Sequence, residues 1–155
     1  LAIMRGFSGQ KLRAWLGPGL SEKADTPEVL KRHGIDFLHD WLLDDEPVWM
    51  TTEAGPLLSI PYTVELNDVP VYVVTNQASS ALAERIRDSM AYFARTGFDR
   101  TRVMTIALHP HVIGPAHRME SFAAAMADLA RHREVAFATS SEIGEWFAGI
   151  RPPPS

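Results

Sequence analysis

The chain has no cysteine, which excludes a disulfide framework and a thiolate nucleophile and leaves the redox compartment unread. It has no run of about 18 apolar residues, so no transmembrane helix is encoded and no membrane partner is expected. The opening residues lack the basic-then-apolar order of a signal peptide. Positive charge is also short: 15 Lys and Arg stand against 19 Asp and Glu, for a net charge of −4. The basic side chains Arg85, Arg87, Arg95, Arg100 and Arg102 are scattered among acids. A nucleic-acid surface needs them clustered, so nucleic acid is not an expected partner. Internal repeats are missing, and the one biased tract is the final "RPPPS", a polyproline-like tail at 151–155.

What remains is a globular composition. With 155 residues, 46% of them hydrophobic and 22% charged, the chain can build one domain with a real core. It begins "LAIMRGFSG", without an initiator Met, and reads there as the last turn of a helix stopped by Gly6 or Gly9. A piece of a longer protein is therefore expected.

Strand and helix signals alternate from there. "KLRAWL" (11–16) suits a short strand and "GPGLSE" a loop. "DTPEVLKRHG" (25–34) carries helix punctuation, with Thr26 to cap, Pro27 at the first position, Glu28 at the positive end and Gly34 at the stop. "IDFLHDWLL" resumes as a strand. "VWMTTEAGPLLSIPYT" reads as two extended pieces around Ala54-Gly55, a hairpin, and "ELNDVPVYVVTNQ" as loop with short ordered pieces. Leu82, Ile86, Met90 and Phe93 line one helix face, with Gly97 ending it. "RVMTIAL" (102–108) has the continuous apolar run of a strand covered on both sides. Met119, Phe122, Met126 and Leu129 form the next helical stripe. "EVAFATS" reads as a strand, and "SEIGEWFAGI" as a helix capped by Ser140 or Ser141. The pattern predicts a parallel α/β core, either an open doubly wound sheet or part of a (β/α) barrel. Both put chemistry at the C-terminal strand ends, on the loops 17–22, 40–47 and 109–117.

The string "IALHPHVIGPAHR" (106–118) holds three histidines, and three readings of them are open. His109 and His111 at i and i+2 suit a metal pair, but Pro110 interrupts the strand between them and no second ligand pair follows. One of them at a strand end suits general acid–base work. All three also suit a hydrogen-bonded loop. In "DWLLDDEP" the acids Asp44, Asp45 and Glu46 read as a solvated turn, whereas Asp40 closes an apolar strand, where a carboxylate can orient a histidine. Arg13 and Arg118 are either anion clamps or surface ion-pair partners. Trp15 and Trp41 pack the core or rim, or line a groove for a ring-shaped substrate. "IPYTVELND" sets Glu65, Asn67 and Asp68 in a segment of no period, where polar residues can line a site. "WLGPGLSE" lacks the spacing of a phosphate cradle.

The strings "RAWLGPGLSE", "DTPEVLKRHGIDFLHDWLLDDEP", "LLSIPYTVELNDVP", "RVMTIALHPHVIGPAHRM" and "VAFATSSEIGEWF" resemble, in this order, the second half of the polysaccharide deacetylase family (carbohydrate esterase family four). They are most similar to its cytosolic, allantoinase-like and urate-catabolism branch. The resemblance implies part of a distorted (β/α) barrel, residues 1–150 being the C-terminal portion and 151–155 a proline-rich tail. It implies hydrolysis of a non-peptide C–N bond, an amide of an acetylated sugar or a ureide such as allantoin, in the cytoplasm. Leu108-His109 resembles the late motif that supplies the general acid, and Asp40-Trp41 the motif that tunes it. Trp15, Trp41, Glu65, Asn67, His111 and Arg118 would then contact substrate, with His111 on the rim and His117 near a helix start. Where the family has an arginine before a proline, Leu16 stands beside Trp15, Gly17 and Pro18, a departure from the sugar-deacetylase pattern. The family's early Asp motif and its His-x-x-x-His motif have no match. The resemblance therefore implies a divalent, zinc-like metal in the full-length parent and none in this chain. It also leaves an alternative: a non-catalytic partial barrel held by a second copy or by the missing N-terminal half.

Overall fold

The structure, a computed structural model, describes residues 1–96 and 100–154. It divides into two compact units, residues 1–62 with 138–155 and residues 63–137.

The first unit opens with helix α1 (Ala2–Ser8), stopped at Gly9, whose φ of 68° is the left-handed conformation that glycine adopts freely. Strand β1 (Ala14–Trp15) follows, then a short 3-10 turn, Pro18–Leu20. Helix α2 (Thr26–Arg32) begins with Pro27 in its first turn. Its N-cap is Asp25 and not Thr26, because the Thr26 hydroxyl instead accepts from the Lys23 N–H at 2.9 Å. Gly34, at φ 82°, turns the chain into strand β2 (Phe37–Leu38). Strands β3 (Val48–Thr52) and β4 (Gly55–Ser59) form the expected hairpin, with Thr52 opposite Gly55.

The sheet order is β1-β2-β4-β3, parallel from β1 through β4 and antiparallel at β3. Leu30, Ile35, Leu38 and Leu57 are buried against it, with Leu1, Leu12, Trp15 and Met50 partly buried around them. Each fully buried side chain of this size contributes about 2 kcal/mol. Helix α6 (Ser140–Ile150) lies so close to β2 that a β-carbon on Gly144 would meet Phe37 Cε1 at 2.1 Å. The helix is capped by Thr139, not by Ser140 or Ser141. The Thr139 hydroxyl accepts from the Glu142 N–H while the Glu142 carboxylate accepts from the Thr139 N–H, a reciprocal box that a serine one position later cannot close. The tail is tied down at Arg151, whose carbonyl accepts from the Trp49 indole and whose guanidinium pairs with Glu46.

The second unit is mostly helical. A 3-10 turn, Val64–Leu66, leads into a π-helix, Val69–Val74, then α3 (Ala81–Thr96), the single turn α4 (Pro110–Ile113) and α5 (Ala116–Arg131). Leu82 and Ile86 of α3 pack with Phe122, Ala125 and Leu129 of α5 over Leu66 and Val71. Met119, expected on that stripe, is 38% exposed, one turn before the contact begins. Gly97, the expected helix stop, lies outside the described residues, as does the tail's last residue, Ser155.

Two expected strands are not formed. Residues 102–108 run without regular structure apart from one parallel bridge, Ala107 to Asn67, and residues 134–139 form no ladder. Continuous apolar sequence makes a segment worth burying, but a strand exists only where a neighbour takes its N–H and C=O groups. The bridge at Ala107 is backbone to backbone, whereas the Thr105 N–H donates to the Thr63 hydroxyl at 3.2 Å. Met104 and Ile106 still pack on the helical core.

Among the described residues no helix is long and apolar enough to cross a membrane.

Candidate active site

In the second unit Asp68 and His109 form a closed pair. The chain enters from Leu66, which is buried and anchors the 3-10 turn. The Ala107 N–H donates to the Leu66 carbonyl and the Asp68 N–H to the Ala107 carbonyl, each at 3.1 Å. That short parallel register sets residue 68 beside residue 109. The Asp68 carboxylate is fully buried. Its Oδ2 accepts from the His109 backbone N–H and its Oδ1 meets His109 Nδ1, both at 2.7 Å. An ionised carboxylate only accepts, so the ring proton belongs on Nδ1. The other nitrogen, Nε2, is then available on a side chain that is 43% exposed. One buried acid thus fixes both the backbone and the tautomer of one histidine, the geometry by which a carboxylate holds an imidazole for proton transfer at Nε2.

The remaining expected site residues of this unit fall around that pair in different ways. His111 is exposed, on α4, with its ring edge-on to His109 at 5.9 Å between centroids. His117 is exposed in the first turn of α5, where the N-cap is Pro115. Asn67 gives its Oδ1 to the Val69 N–H at 2.9 Å. Glu65 is exposed, and its backbone carbonyl accepts from Arg85. Arg118 is half-buried, with its Nε buried and without a hydrogen-bond partner. Its guanidinium donates to the Val112 carbonyl and lies 4.4 Å over the Tyr72 ring. Tyr72 is itself anchored through its hydroxyl to the Ser79 carbonyl.

Asp40, expected to orient His109, lies in the first unit, and the carboxylate on the His109 ring is Asp68. Asp40 is buried at 7% exposure and accepts from the Gly17 N–H at 2.6 Å. Trp41 is half exposed and its indole donates to Glu22. Trp15 is partly buried against the sheet's core. Arg13 is an ion-pair strut, bound to Asp36 and Glu145 and stacked on Phe37 at 4.9 Å. Burial acts to raise the Asp36 carboxyl's pKa, but the hydrogen bonds from Arg13 and Lys31 outweigh it and hold it below the usual range. His39 Nε2 meets the Ser140 hydroxyl at 2.8 Å, and burial keeps that imidazole below its ordinary pKa.

Among the described residues no group of three or more His, Cys, Asp or Glu side chains is placed to hold a metal ion. Asp68, the carboxylate on the His109 ring, has no local pattern in the sequence that points to His109. Its one signal was an acid in the aperiodic run "ELND".

The fold defines a class: a mixed α/β chain with the partial barrel of the deacetylase fold. Three solved structures carry that likeness. Puue allantoinase matches at a TM-score of 0.88 and 21% identity, over 99% of this chain and 51% of its own. The probable polysaccharide deacetylase of Pseudomonas aeruginosa PAO1 matches at 0.85 and 24% identity, over 97% and 51%. A structure from Mycobacterium smegmatis, also named as a polysaccharide deacetylase, matches at 0.82 and 18%, over 99% and 56%. The chain thus spans about half the length of the structures it matches. No protein-family model and no curated protein matches it.

Proposed function

We propose that this chain is the C-terminal half of a hydrolase of non-peptide C–N bonds, acting on the amide of an acetylated sugar or on a ureide, with His109 as general acid. The observation that carries the reading is the Asp68–His109 pair, with Nδ1 on a fully buried carboxylate. Its support in fold is the likeness to an allantoinase and to polysaccharide deacetylases. When water adds to the carbonyl, the C–N bond breaks only as the nitrogen takes a proton. His109 gives that proton from Nε2 while its Nδ1–H stays on Asp68. Such a group contributes about 100- to 10,000-fold in rate.

The test is steady-state kinetics of the full-length parent on N-acetylated sugar and on allantoin. His109→Ala should lower kcat by about 100-fold or more, and His111→Ala far less. Equal, mild losses overturn the assignment.

We further propose that the chain alone is inactive and associates, with its missing half or with a second copy. Leu108 and Phe137, at 41% and 63% exposure, lie in segments that have strand sequence and no ladder. Sedimentation of the chain with and without the N-terminal half tests this, and a well-folded monomer unaffected by that half refutes it.

A further inference from the structure

One polar pair in the first unit has the parts of a nucleophile and its base. His39 follows β2, and its N–H donates to the Trp15 carbonyl at 3.0 Å, which extends the strand pairing by one residue. Ser140 opens α6, the helix that Gly144 brings against Phe37 of β2. Those two anchors bring together side chains 101 residues apart in sequence, with His39 Nε2 at 2.8 Å from the Ser140 hydroxyl. Both residues are half-buried, so the pair is sheltered without being closed off from solvent. Burial holds the ring below its ordinary pKa, against the opposing pull of the Asp40 charge, so it is a neutral base at pH 7. With its proton on Nδ1, Nε2 accepts from the hydroxyl, which is the relation a serine nucleophile needs. The positive end of an 11-residue helix also favours negative charge developing at residue 140. Glu142, the acid of that first turn, is folded back onto the Thr139 N–H and hydroxyl. Ser141 supplies a contrast within the same turn. It is half-buried too, and among the described residues only Ser140 of the two meets a ring nitrogen.

We propose that Ser140 is a nucleophile activated by His39 and that it accepts the acyl group of a small activated ester. Ser140 Oγ bonds to the acyl carbon as Nε2 takes the Oγ proton. The acyl–oxygen bond of the ester then breaks, and the proton leaves with the departing oxygen or to water. The product is an ester on Ser140, and no oxidant, reductant or second reagent is consumed. Half-burial of the hydroxyl favours a short acyl group over a bulky one. The pair is independent of the hydrolytic reading, whose Asp68 and His109 lie in the second unit.

The test is reaction of the whole chain with p-nitrophenyl acetate at neutral pH, with the acetyl group mapped by mass spectrometry in acid-quenched samples. The expected result is acetyl on Ser140 and not on Ser141. Mapping decides, because exposed imidazoles such as His111 also release nitrophenolate. Ser140→Ala should abolish the adduct, and His39→Gln should slow its formation by about 100-fold or more. Ser141→Ala should leave the rate unchanged. If His39→Gln fails to fold, the contrast between Ser140 and Ser141 in the native chain still decides. Equal acetylation of the two serines, no acetyl on Ser140, or an unchanged rate in a folded His39→Gln chain would each overturn the proposal.

Discussion

Asp68→Asn is the substitution with the clearest consequence. The native carboxylate accepts two hydrogen bonds at 2.7 Å, one from a backbone N–H and one from a ring, and its side chain is fully buried. An asparagine has one acceptor oxygen and one NH2 group, so one of those two donors meets another donor. Losing one hydrogen bond to a charged group costs about 1.5–3 kcal/mol, and leaving a buried donor unpaired about 1–3 more. Because the His109 ring can turn toward solvent, the lower part of the combined range applies, about 2.5–4 kcal/mol. With a urea slope of about 1–3 kcal/mol per molar, the midpoint should fall by roughly 1–2 M. All four tryptophans, Trp15, Trp41, Trp49 and Trp146, lie in the first unit, so far-UV circular dichroism and amide exchange at His109 are the readouts. His109→Gln removes only the ring contact and should cost less. A double-mutant cycle should give a coupling of about 0.5–3 kcal/mol. An Asp68→Asn chain within about 0.5 kcal/mol of the parent chain, with its residue-109 amide still protected, would refute the clamp.

Folding stability should fall as pH drops from about 7 toward 5. The folded state holds His39 below the ordinary imidazole value of 6.5, so the unfolded chain takes up the proton first and gains relative to the fold. Urea titrations across that range should show a flatter profile for His39→Gln, and an unchanged profile would contradict the burial argument. Gly144→Ala forces a β-carbon onto the Phe37 ring and should cost about 1–3 kcal/mol, partly recovered by Phe37→Leu. If thermal denaturation finds Gly144→Ala neutral, the close approach of α6 to β2 is wrong. Thr139→Ala removes the α6 cap and should cost about 1 kcal/mol, with exchange rising first at the Glu142 amide. Protection retained there would mean the capping box carries no weight.

What could be read from the chain was what depends on near neighbours. The hairpin followed from Ala54-Gly55 between two apolar runs. Helix α2 followed from Pro27 and Gly34, and α3 and α5 from stripes whose core members are three and four residues apart. The segments 102–108 and 134–139 form no strand because apolar composition reports burial, whereas a ladder requires a partner strand that composition does not name. Asp40 was taken for the orienting acid because it closes an apolar strand ahead of Trp41. The carboxylate on the ring comes from 41 residues away, in a segment whose only structure is a turn and a π-helix, and no local period points to it.

That separation bears on how the site comes into being. Asp68 and His109 close a loop of 41 residues, at a chain-entropy cost of roughly 3 kcal/mol from the logarithm of its length alone. Helix α3, formed from local contacts inside that loop, shortens the effective tether before the ends meet. The Asp68–His109 contact rests on the register that the Ala107 bridge to Asn67 sets. A contact so far apart in sequence raises the relative contact order of the second unit, which slows its folding compared with a bundle of local contacts.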